Sequence, residues 1–177
     1  MFDFFKKRKL KSLLKKNNRR HAFLDLDNIH SILILFETSG YEVVDSFVET
    51  LQGMGKSVKG YAFRVKDDVY DYSETNYSII SPKENSDKSG KPSDELLEQL
   101  KSTHYAAAID LTIKENFSLE YILAVANVTM TIGLKKNKLP FYDLSISKLP
   151  KENPVEELIK SILYYLKTIK GKETTLF

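Results

Sequence analysis

Residues 31–36 read SILILF, and this run constrains the fold more than any other stretch of the chain. A strand with one face in water alternates apolar and polar side chains, so a run that stays apolar from Ile32 to Phe36 needs cover on both faces. A parallel sheet held between helical layers meets that requirement. The rest of the chain supplies both helices and further strands. Val43, Val44, Phe47, Val48 and Leu51 share one helical face, and GMGK (residues 53–56) ends that helix. Further strands are expected at VKGYAFRV (58–65), YSIIS (77–81), YAAAIDL (105–111), VTMTIGL (128–134) and FYDLSI (141–146).

Helical periodicities separate these runs. Ser93 can cap a helix carrying Leu96, Leu97 and Leu100, and Leu119, Ile122, Leu123 and Ala126 line a second. A third starts with Asn153 as cap, Pro154 at the first helical position and Glu156 three residues after the cap. The segment PKENSDKSGKPS (82–93) reads as an exposed loop. The 177 residues suit one domain. Strands alternating with helices at this spacing predict a three-layer Rossmann-like α/β domain over residues 23–170, with a mostly parallel sheet of about six strands. Residues 1–22 are expected to form a basic helical arm and residues 171–177 a C-terminal tail.

Charge is divided unevenly between arm and body. The first twenty residues hold nine of the 27 basic and one of the 24 acidic side chains, which leaves 18 basic against 23 acidic in residues 21–177. A concentrated cluster of cations makes a local field that draws a polyanion. The expected contacts are Lys6, Lys7, Arg8, Lys9, Lys11, Lys15, Lys16, Arg19 and Arg20. The chain has no cysteine, which removes disulfides and thiolate chemistry and fits a reducing compartment. Cytoplasm is the expected location. Leu10, Leu13 and Leu14 are broken up by Lys and Ser, so no secretory apolar core forms there, and the other apolar runs are strand-sized.

In a parallel α/β sheet, ligands bind at the carboxyl ends of the strands. The loops there are ETSGYE (37–42), TIKENFS (112–118) and KKNK (135–138). The first loop has only Gly40 where a dinucleotide site needs closely spaced glycines, and no Walker A pattern occurs, so no cofactor is expected. The candidate pocket comprises Thr38, Ser39, Gly40, Tyr41, Glu42, Asp110, Thr112 and Asn116.

Two resemblances attach to these residues. ILILFETSGYEVVDSFVETL and AAAIDLTIKENFSLEYILAVANVTMTIGL resemble the amino-terminal half of heptosyltransferases that build lipopolysaccharide, with Thr38, Ser39, Gly40, Asp110 and Gly133 at matching positions. That family carries a catalytic Asp where this chain has Tyr41, which implies a non-catalytic relative. AIDLTIKENFSLEYILAVANVTMTIG, FYDLSI and LYYLKTI resemble an uncharacterised family of small Bacteroidota proteins, which implies the fold and a bacterial setting but no activity.

Each candidate has a plainer role beside its chemical one. Glu42 sits where it could replace the missing base, and equally where an acid favours the first turn of a helix. Thr112 and Glu115 have capping-box spacing, and Asp110 is placed to order the loop after its strand. Asp25 and Asp27 of DLDNIH alternate onto one side, but scattered histidines make a polar lead-in to the first strand the better reading than a metal site. The aromatic residues fall mostly at core-facing positions rather than in an interleaved base-stacking surface.

The arm has no such outlet, since no core absorbs nine cations. Lys6, Lys9 and Lys16 intrude on the side shared by Phe2, Phe5 and the three leucines, which favours phosphate over lipid. The leading expectation is a non-catalytic binding protein whose arm contacts RNA, ribosomal RNA first among the candidates, while the acidic body meets a protein partner or solvent. A small enzyme or ligand-binding domain related to glycosyltransferases, and a peripheral adaptor on an anionic membrane, are the alternatives. In a docked arm the leucines would pack on the domain instead.

Overall fold

A computed structural model describes residues 2–82 and 84–169. The elements run α1 (Phe2–Lys16), β1 (Ser31–Glu37), a 3-10 turn (Thr38–Gly40), α2 (Tyr41–Gly53), β2 (Ser57–Phe63) and β3 (Ser78–Ile80). They continue through α3 (Asp94–Ser102), β4 (His104–Asp110), α4 (Phe117–Val125), β5 (Asn127–Leu134), β6 (Leu144–Ile146) and α5 (Pro154–Thr168). The six strands form one sheet in the order β3-β2-β1-β4-β5-β6, and every neighbouring pair is parallel.

The strand SILILF explains the layering. Ile32, Ile34 and Phe36 pack with Val44, Phe47 and Leu51 of α2 and with Leu158 and Ile162 of α5. Leu33 and Leu35 point the other way, into a second core with Leu97 and Leu100 of α3, Leu119 and Ile122 of α4, and Leu10 of α1. Successive side chains of a strand face opposite sides, so an unbroken apolar run feeds two cores at once. The three-layer Rossmann-like fold expected from the sequence is therefore present, with α2 and α5 on one face and α1, α3 and α4 on the other.

Local departures have local causes. β6 begins at Leu144 rather than at Phe141, because the preceding residues bind β5 by other means: Thr131 Oγ1 donates to the Phe141 carbonyl at 2.8 Å and the Asp143 N–H to the Thr131 carbonyl at 2.9 Å. β3 begins at Ser78, since Tyr77 turns its ring edge-on to Phe36 and its hydroxyl donates to Asp45 at 2.6 Å. Asn153 does precede α5, but it adopts a left-handed conformation with φ 47° and its side chain makes no cap bond. Asn tolerates that region. Ser93 caps α3 as expected, accepting from the Leu96 N–H. Thr112 and Glu115 form no capping box, because α4 starts later and Asn116 is its cap. Val43, expected on the inner face of α2, is exposed. The tail at residues 171–177 lies outside the described residues.

Candidate functional site

The basic arm is a docked helix. Leu10 is only 1% exposed and joins the second core, with Leu13 and Leu14 packed against it. Beyond the helix, the Asn17 side-chain amide donates to the carbonyls of Ala124 and Ala126 at 3.0 and 3.1 Å, which ties the arm to the end of α4. The cause lies in α4. Its residues from Ser118 to Ala124 are all buried, so α4 is apolar around most of its circumference and requires cover from α1 on its outer side.

Docking sorts the cations. Arg8, Lys9, Lys11, Lys15, Lys16 and Arg20 are exposed. Lys7 is also exposed but reaches Glu115 at 3.4 Å, and Lys6 lies over the Phe117 ring at 4.8 Å. Arg19 must be removed from the anion-binding set. Its guanidinium is buried, donating to the Thr129 carbonyl at 3.0 Å, to Thr131 Oγ1 at 3.1 Å and to Asp143 at 2.9 Å. Burial alone would raise the Asp143 carboxyl, but His21, the Thr131 N–H and Arg19 together hold it below the usual range. Aromatic side chains are exposed here too. Phe4 and Phe5 are 66% and 59% exposed, so aromatic rings do stand beside exposed cations at this helix.

The candidate pocket divides into two separate places. Between β1 and β4, where the strand order reverses, Asn116 Nδ2 donates to Glu37 Oε1 at 3.0 Å and spans the carboxyl-end crevice. To one side, Thr38, Ser39, Gly40, Tyr41 and Glu42 line a cleft of about 350 Å³ with Tyr70 and Tyr72. Thr38 Oγ1 there accepts the Val65 N–H at 3.1 Å, and Glu42 lies in the first turn of α2.

To the other side, Asp110 is fully buried and fully engaged. One carboxylate oxygen accepts the Thr112 N–H at 2.9 Å and its hydroxyl at 2.6 Å, and the other accepts Lys136 Nζ and the Tyr142 hydroxyl, each at 2.7 Å. Lys136 Nζ also donates to Thr112 Oγ1 and is itself buried. Asp110 thus orders its loop, with no oxygen left open to a substrate. Burial, followed by the charge of Asp110, pushes the Tyr142 hydroxyl far above its ordinary range. Glu120, beneath the same network, is raised to about 7 by burial, with Lys136 opposing and Asp110 adding to the rise. Lys136, Tyr142 and Glu120 are partners that no motif announces. Gly133 gave a partial signal: a Cβ there would lie 2.5 Å from the Tyr142 ring, so glycine permits the approach.

Among the described residues, no three His, Asp or Glu side chains gather as a metal-holding group, and no helix is long and apolar enough to cross a membrane. Asp25 instead accepts from the Asn28 backbone and side chain in a turn before β1. Fold and site define a class: a wholly parallel Rossmann-like α/β protein with a basic helix laid over one helical layer. The chain belongs to a family of unknown function, DUF6913, whose pattern matches residues 3–169. No curated protein matches it.

Proposed function

We propose that the protein binds single-stranded RNA along the outer face of α1, without catalysing a reaction on it. The observation that carries this reading is the burial of Leu10 with the half-burial of Leu13 and Leu14. With its apolar side spent on the domain, α1 holds Arg8, Lys9, Lys11, Lys15 and Lys16 outward as a fixed row of cations. A fixed row meets phosphates without first ordering a flexible arm, and Phe4 and Phe5 at its end offer rings for bases to stack on.

The test is fluorescence anisotropy with a labelled single-stranded RNA, alongside co-sedimentation with ribosomes, at low and moderate salt. Replacing those five cations with Gln should weaken RNA binding by about a hundredfold at low salt. An unchanged affinity, or none in the wild type, rejects the proposal. Exposed Phe4 and Phe5 also favour a second reading, insertion at an anionic membrane surface. Flotation with phosphatidylserine vesicles, lost on Phe4→Ser with Phe5→Ser while RNA affinity is absent, would select it instead.

A further inference from the structure

A second concentration of positive charge lies at the carboxyl end of the sheet, and none of Arg8, Lys9, Lys11, Lys15 and Lys16 lines it. Here the loop after β4, the end of β5 and the connection from β6 to α5 enclose an open cleft of about 710 Å³. Lys114, Lys135, Lys136, Lys148 and Lys151 line it, and among the described residues Glu115 is the one carboxylate of the lining. Lys136 is neutralised by Asp110, and Glu115 is turned to Lys7. Lys114, Lys135, Lys148 and Lys151 make no ion pair among the described residues and are exposed.

Four exposed like charges around one concavity add to a local positive potential, which salt screens in part and which favours an anion carrying several charges. The other surroundings point the same way. Pro154 of the lining opens α5, which puts the start of a fifteen-residue helix at the edge of the cleft, with Glu156 and Glu157 of its first turn paired to Lys160. Ile113, Leu134 and Leu149 give the cleft an apolar floor. This is also the end of a parallel sheet at which α/β proteins hold ligands.

We infer that this cleft binds an oligophosphate ligand, with Lys114, Lys135, Lys148 and Lys151 contacting the phosphate chain. A single phosphate leaves most of the four charges unmatched, whereas a chain of three phosphates balances them. The inference concerns a different surface from the RNA reading and stands without it. The phosphates have two possible sources, an inorganic chain or a nucleoside triphosphate whose base would lie on the apolar floor.

The test is isothermal titration of the full chain with sodium tripolyphosphate and, separately, with ATP in the absence of metal, at constant ionic strength. Lys135→Gln with Lys148→Gln and Lys151→Gln should weaken binding of both by about tenfold or more. These side chains are exposed, so the variant folds, and a far-UV spectrum checks that it has. Gln at Arg8, Lys9, Lys11, Lys15 and Lys16 should leave both affinities unchanged. Tighter binding of ATP than of tripolyphosphate identifies the nucleoside source, and equal affinity the inorganic one; either result supports the cleft. Absence of binding to the wild type overturns the inference. So does binding that survives the cleft variant, or that disappears with the α1 variant.

Discussion

At the scale of single residues, the buried network around Lys136 carries the sharpest consequences. Glu120 is 3% exposed, accepts from Asn137 Nδ2 at 3.1 Å, and has its pKa raised from 4.5 to about 7. Between those two values the folded chain holds a proton that the unfolded chain has released, so stability must fall as pH rises from 4.5 towards 7. Glu120→Gln keeps the acceptor for Asn137 and removes the charge. Urea denaturation should find the variant more stable than wild type at pH 8 by on the order of 2–3 kcal/mol, with little difference at pH 4.5. An equal gain at both pH values would mean that packing, and not ionisation, is responsible. Gly133→Ala drives a Cβ into the Tyr142 ring and should cost about 1–3 kcal/mol, most of it absent in a Tyr142→Ala background. Asp110 was legible as a loop-ordering residue because it ends a buried strand. Its partners were not, since Lys136 and Tyr142 lie 26 and 32 residues away and no local spacing joins them.

At the scale of elements, α1 and α4 form a pair in which each accounts for the other. The sequence FSLEYILAV is apolar at too many positions for a helix with one face in water. Taken together with the leucines at positions 10, 13 and 14, that excess was the available sign that the arm has a docking surface on the domain. It was hard to read because Lys6, Lys9 and Lys16 blur the apolar stripe of α1, and only the partner helix fixes which side turns inward. By contrast β1, α2 and α5 could be read from the sequence because their signals lie within one element, an unbroken apolar run in β1 and a helical period in α2 and α5. The short β3 and β6 are the opposite case: next to them the side chains of Tyr77 and Asp143 take tertiary partners that local pattern cannot foresee. Leu10→Ala should destabilise the whole domain by about 2–5 kcal/mol in thermal or urea unfolding, because it opens a cavity between the two helices. If Leu10 were instead a contact for lipid or RNA, the same change would lower binding and leave stability untouched.

At the scale of the whole molecule, the chain separates its charges by surface. The nine cations of the first twenty residues sit against a body with 18 basic and 23 acidic side chains, so the net positive charge of the chain is concentrated at its amino-terminal segment. Not every cation contributes to that field equally. Arg19 is buried against Asp143 and fastens the segment after α1 to β5 and to the approach of β6, whereas Arg8 stands in solvent. The two should therefore part company under measurement. If Arg8, Lys9, Lys11, Lys15, Lys16 and Arg20 each meet one phosphate of a single strand, the logarithm of RNA affinity should fall with the logarithm of salt at a slope of about −4. Arg8→Gln should make that slope shallower by about 0.7 while leaving the melting temperature unchanged. Arg19→Gln should do the reverse, leaving the slope alone and lowering the melting temperature, because it takes the guanidinium from the Asp143 carboxylate and leaves only His21 and Thr131 to hold it. A slope that responds to Arg19 and not to Arg8 would move the RNA surface off the outer face of α1.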